Sequence, residues 1–118
     1  MKRTFVDAGV LIDAAHGEGP AAKRAMEIID EREREFASSI FLKMEVLPKA
    51  VYHHNQAEVE FYESFFNIVT YWAEVSDRLV EEAYREGCTT GMAAMDALHV
   101  AAAALVGATE LITTEKPN

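Results

Sequence analysis

Apolar and polar positions alternate in blocks along this chain, and the blocks switch between two periods. "RTFVDAGVLI" opens with a short β-branched and aromatic run at residues 4–6, then passes into a helical pattern after Asp7. "GEGP" at 17–20 reads as a loop, and Pro20 suits the start of a helix. Ala22, Ala25, Met26 and Ile29 then recur at helical spacing over 21–31. "EFASSIF" predicts a second short strand, with Ser38 or Ser39 placed to cap a helix over about 40–53. Pro48 falls inside that helix and is expected to kink or shorten it, because it removes one backbone hydrogen bond. "HHNQ" breaks the pattern, and 57–67 forms an amphipathic helix carrying Val59, Phe61, Tyr62, Phe65 and Phe66.

The second half repeats the alternation. "IVTYWAEV" at 68–75 predicts a third strand, rich in β-branched and aromatic residues. Ser76 caps a helix over 77–87, Gly91 precedes an almost continuously apolar helix at 92–106, and Gly107 ends it. "ELITT" at 110–114 supplies a fourth strand. Strands alternating with helices imply an α/β domain with a mostly parallel sheet covered on both faces. No internal repeat, low-complexity tract or linker interrupts it, so residues 1–118 read as one domain.

Composition narrows the setting. The net charge of −9, from 20 acids against 11 Lys and Arg, disfavours a simple electrostatic nucleic-acid binder. It leaves room for a nucleic-acid enzyme whose acids hold cations, since a bound metal ion reverses the local field. One cysteine, Cys88, can build neither a disulfide framework nor a zinc cage, which points to a reducing, cytoplasmic location. No apolar run approaches the roughly 18 residues of a membrane span. The basic-then-apolar opening resembles a secretory leader, but Asp7 and Asp13 within it argue against that reading.

The chemistry rests on acids in awkward places. Asp96 sits among Ala94, Met95, Ala97 and Leu98, in a helix otherwise suited to a core. A carboxylate in such surroundings costs several kcal/mol unless something compensates it. In a parallel sheet, residues just past the strand ends share one edge, where open α/β folds bind ligands. Asp7 follows the first strand and Glu115 the last, so the two meet if those strands are neighbours. Glu45 lies six residues after Ser39, in the helix leaving the second strand at that edge, and Asp96 opens the helix before the fourth. Four gathered acids repel one another unless hard cations such as Mg²⁺ or Mn²⁺ lie between them, a setting for metal-assisted phosphodiester hydrolysis.

Each acid also has a plainer reading. Asp7 can cap a helix, Glu45 can be a solvated helical glutamate, Asp96 can gain from the helix dipole, and Glu115 can be a loop acid. Among the other candidates, Asp13 is expected to face outward. Adjacent His53 and His54 point apart and make a poor metal pair. His99, three residues past Asp96, reads as a structural imidazole, and Cys88 as inert. The aromatic set of Phe61, Tyr62, Phe65, Phe66, Tyr71 and Trp72 reads as core or dimer interface. Lys43, Lys49 and Lys116 are weak candidates for phosphate contact.

"FVDAGVLIDA", "SSIFLKMEVL" and "MDALHVAAAALVGATELITTEK" together resemble the PIN-domain family, most closely the VapC-like toxin ribonucleases, in order and spacing over essentially the whole chain. The resemblance implies a three-layer α/β/α fold around a central parallel sheet of four or five strands, with the family's last strand missing or beyond this chain end. It places the family's four catalytic and metal-holding acids on Asp7, Glu45, Asp96 and Glu115, with Thr113 as the supporting threonine. It further implies a Mg²⁺- or Mn²⁺-dependent endoribonuclease with RNA as substrate, a small antitoxin as partner and a homodimeric state. Ala8 departs from the Thr or Ser that usually follows the first acid, removing one supporting hydrogen bond. Glu115 replaces the commoner Asp and reaches one methylene further. A non-catalytic module of this fold, binding a basic peptide at its acidic edge, is the alternative. A phosphoacceptor receiver domain ranks lower, because its acceptor aspartate is missing from the "YHHNQ" region.

Overall fold

The computed structural model describes residues 1–114, and Glu115 and Lys116 lie outside them. Strand β1 (Lys2–Val6) is followed by helices α1 (Ala8–His16) and α2 (Gly19–Asp30), then β2 (Arg34–Ser38). Helices α3 (Ile40–Tyr52) and α4 (Gln56–Ile68) lead to β3 (Tyr71–Trp72). Helices α5 (Asp77–Thr90) and α6 (Ala94–Leu105) lead to β4 (Glu110–Ile112). The four strands form one sheet in the order β3-β2-β1-β4, with every pairing parallel. The fold is a three-layer α/β/α sandwich, as the alternating pattern implies.

Strand alternation decides what each face meets. Phe5 turns to α6, where its ring lies 6.2 Å from that of His99. Phe36 takes the other face and meets Phe65 of α4 edge-on at 5.5 Å. Ala97, Ala101, Ala102 and Ala103 of α6 are all buried, small side chains that let its neighbours, α5 above all, lie close to it. Phe5, Leu11, Leu42 and Leu79 are fully buried, each worth about 1.5–3 kcal/mol relative to an exposed position.

Caps explain most helix boundaries. Asp7, Ser39 and Ser76 accept the amides of Val10, Leu42 and Leu79. Of the two serines offered for α3, Ser39 is therefore the cap, while Ser38 is the last residue of β2 and is buried. Pro48 does not shorten α3, which continues to Tyr52. Its ring and Met44, whose carbonyl loses a partner to it, both lie on the exposed face, where water can take up that bond.

Two elements differ from the sequence expectation. The third strand covers two residues rather than 68–75. Ile68 completes α4, and β2 ends at Ser38 because Ser39 begins capping α3, so residues beyond Ala73 have no strand to pair with. The ladder closes with Thr70 N–H on Phe36 O at 2.9 Å and Ala73 N–H on Ser38 O at 2.9 Å. The fifth helix runs through Gly87 to Thr90, and Gly91, with φ of 75°, ends it in the left-handed region. Met92 and Ala93 thus belong to the turn, and α6 begins at Ala94.

Candidate metal centre

The position of β4 beside β1 makes this site. The chain adds β2 and β3 on one side of β1, then crosses back to place β4 on the other. Such a reversal opens a crevice at the carboxyl ends of β1 and β4. Val6 pairs with Ile112, and the Asp7 N–H donates to Ile112 O at 3.0 Å, so Asp7 and Thr113 leave their strands side by side.

Asp7 does two jobs at once. Its Oδ1 caps α1 by accepting the Val10 N–H at 3.0 Å, and its Oδ2 accepts the Thr113 hydroxyl at 2.5 Å. A carboxylate offers about four lone-pair positions, so these two bonds fix its plane and leave the others available. Thr113 thereby provides a hydrogen bond to the first acid, at whose next position Ala8 is buried and cannot donate. Gly9 suits this approach: a Cβ there would collide with the Thr114 hydroxyl, and the Thr114 side chain would have to turn away.

Asp96 lies in the first turn of α6, half-buried, where the free amide groups of a helix start favour a negative charge. It makes no hydrogen bond or ion pair with any other described residue. Asp7, Asp96, His99 and Thr113 line one cavity of about 200 Å³, with Met92 and Leu111 as apolar wall. Glu45 does not line it. It reaches the group through His99, whose Nε2 lies 3.4 Å from Glu45 Oε1. Glu115 lies outside the described residues. Among the described residues, no three Asp, Glu, His or Cys side chains converge closely enough to form a cage.

The donor set fits one kind of ion. Mg²⁺ and Mn²⁺ keep several waters and need only one or two carboxylates, whereas zinc takes several nitrogen or sulfur ligands. Two carboxylates facing one cavity with room for an ion and several waters satisfy the first requirement and not the second.

The remaining candidates fall elsewhere. His53, His54 and Cys88 are exposed, and Asp13 is partly exposed along α1. Tyr62, Phe65 and Phe66 belong to the core, while Trp72 stays 43% exposed at the sheet edge. Lys43 extends over the Phe66 ring at 5.9 Å. Two features of the site escape sequence reasoning: the contact of His99 with Glu45, and the close approach of Thr114 to Gly9. The i, i+3 spacing of Asp96 and His99 hints at a shared face, but the partner on α3 has no signal in sequence.

No curated protein sequence matches the chain significantly. The profile of the PIN domain matches residues 4–116. PIN domains are in general nucleases, hydrolases of phosphodiester bonds, and typically use divalent metal ions. With a match that takes in the carboxyl half of β1, the other three strands and the residues lining the crevice, this protein is a member of the PIN domain family.

Proposed function

We propose that the protein is a metal-dependent endoribonuclease, the toxin of a type II toxin–antitoxin pair. The observation that carries the reading is the meeting of Asp7 and Asp96 around one cavity, at the crevice between β1 and β4, with no cationic side chain from the described residues neutralising either. Membership of a nuclease family supports the reaction class. Mg²⁺ or Mn²⁺, when bound, would supply Lewis-acid stabilisation of the phosphodiester and a more acidic water.

The chain's own contribution is positional. Asp7 and Asp96 would hold the ion, with Glu45 and Glu115 completing the acidic set. The Thr113 hydroxyl holds the Asp7 carboxylate in one plane, and the amide cap on the other oxygen prevents it from rotating. The start of α6 offers partial positive charge near a scissile phosphate, offsetting the field of a strongly acidic protein. The toxin role draws support from α3, where Ile40, Met44, Val51 and Tyr52 expose apolar surface of the sort partners cover, an antitoxin or a second copy.

The test is cleavage of single-stranded and structured RNA with Mn²⁺, comparing the wild-type protein with Asp96→Asn. Loss of a direct ligand should exceed what outer-shell changes cost, so activity is expected to fall by more than about a hundredfold. Equal activity in the two proteins, or none in either, overturns the reading. Tight association with an Arg-rich peptide and no Mn²⁺ binding would indicate a non-catalytic module.

A further inference from the structure

His99 is the most deeply buried polar side chain at the site, at 3% exposure, and it stands between two acids. Asp96 precedes it by one helical turn on α6, and Glu45 approaches it from α3. Its two ring nitrogens are not equivalent. Nε2 faces Glu45 Oε1 at 3.4 Å, whereas Nδ1 is buried without a hydrogen-bond partner among the described residues. The Phe5 ring lies 6.2 Å away across the sheet face.

This asymmetry assigns the tautomer. A carboxylate can only accept, so the nitrogen facing Glu45 must donate. A second N–H on Nδ1 would be buried with nothing to receive it, which is costly. The imidazole therefore carries its proton on Nε2, and its unpartnered lone pair sits on Nδ1. The contact is longer than the about 2.7–2.9 Å of a tight charge-assisted bond. It directs one oxygen of Glu45 while the side chain, 31% exposed, keeps the other oxygen available.

We propose that His99 is a positioning residue: its Nε2–H aims the Glu45 carboxylate from α3 toward the crevice that Asp7 and Asp96 line. Glu45 does not line that crevice and has no other described hydrogen-bond partner, so the imidazole is what ties it to the other acids. In the sequence His99 looks like core; in the fold it joins two helices through one polar contact. The inference rests on the metal-dependent reading for its consequence, though its geometry does not.

Two measurements test it, neither requiring RNA. Nitrogen-15 NMR of the metal-free wild-type protein should show a proton on Nε2 of His99; the Nδ1–H tautomer overturns the proposal. Calorimetry with Mn²⁺ should show His99→Leu binding about tenfold more weakly than wild type, in line with other outer-shell partners. His99→Gln, which can place an amide N–H where Nε2 stands, should remain within about threefold. A merely structural role would make both variants alike, and that result overturns the proposal. Asp96→Asn separates the two ideas. If it binds Mn²⁺ as wild type does, the metal reading fails; if it does not bind but His99→Leu binds normally, only the positioning role fails. Should His99→Leu not fold, the NMR result and the Gln variant still decide.

Discussion

The sheet carries carboxylates at both ends, and the two ends treat them in opposite ways. Toward the amino ends of the strands, Glu110 of β4 accepts the Thr4 hydroxyl at 2.6 Å and the Arg34 Nε–H at 2.8 Å. Arg34 also grips Glu31 at 2.7 Å, and its side chain is only 10% exposed. Nearby, the Arg3 guanidinium donates to the Val106 carbonyl at 2.7 Å and stacks 3.6 Å from the Tyr71 ring centre. At the carboxyl ends, among the described residues, Asp7 receives only neutral donors and Asp96 has no partner. An arginine neutralises a carboxylate permanently and leaves no charge for a cation to meet. The acid that stabilises the fold is paired; the acids proposed to hold an exchangeable ion are left without a cationic partner among the described residues.

The largest effect that sharpens this contrast is expected from Arg34→Leu. It strands Glu110 beside Thr4 in a partly buried site, at a cost of about 2–3 kcal/mol, less than for a fully buried pair. Urea denaturation measures the loss, and calorimetry should find Mn²⁺ affinity unchanged. A weakened Mn²⁺ site with unaltered stability would erase the distinction between the two ends.

Thr113→Val probes the opposite end. Removing the hydroxyl from Asp7 Oδ2 should weaken Mn²⁺ binding by about tenfold while global stability shifts by no more than about 1 kcal/mol. Were its chief effect on unfolding instead, the threonine would belong with the structural network.

The smallest effect concerns acid. The Thr4 hydroxyl, and after it the Arg34 guanidinium, hold the Glu110 carboxyl below its ordinary value of 4.5. A depressed folded-state pKa stabilises the protein above the unfolded value and stops doing so as pH falls through the folded one. Wild-type stability should therefore decline below about pH 4.5. Glu110→Gln should decline less steeply over the same range in melts at stepped pH, and an identical slope would remove Glu110 from the account.

Much of this was legible in the chain itself. Hydrophobic periodicity and caps dictate the order of elements, because they act within a few residues: Asp7, Ser39 and Ser76 each sit three positions before the amide they bind. Parallel pairing follows from strands separated by helices, and Asp7 and Thr113, just past the ends of neighbouring strands, share an edge as a consequence. Failures occurred where a neighbour distant in sequence decides, and where two nearby glycines compete to end one helix. The length of β3 is set by where β2 stops, and Gly91 rather than Gly87 ends α5 because only Gly91 takes the left-handed conformation.

What the sequence determined alone, then, is the local grammar: which residues form helices and strands, and which acids are out of place for a core. Tertiary structure decided which of those acids meet. It put β4 beside β1, so that Thr113 reaches Asp7 across 106 positions of chain, and laid α6 against α3, so that His99 meets Glu45 across 54. Neither contact has a local signature, because hydrogen bonds between distant segments depend on strand order and helix packing, and both are properties of the assembled core.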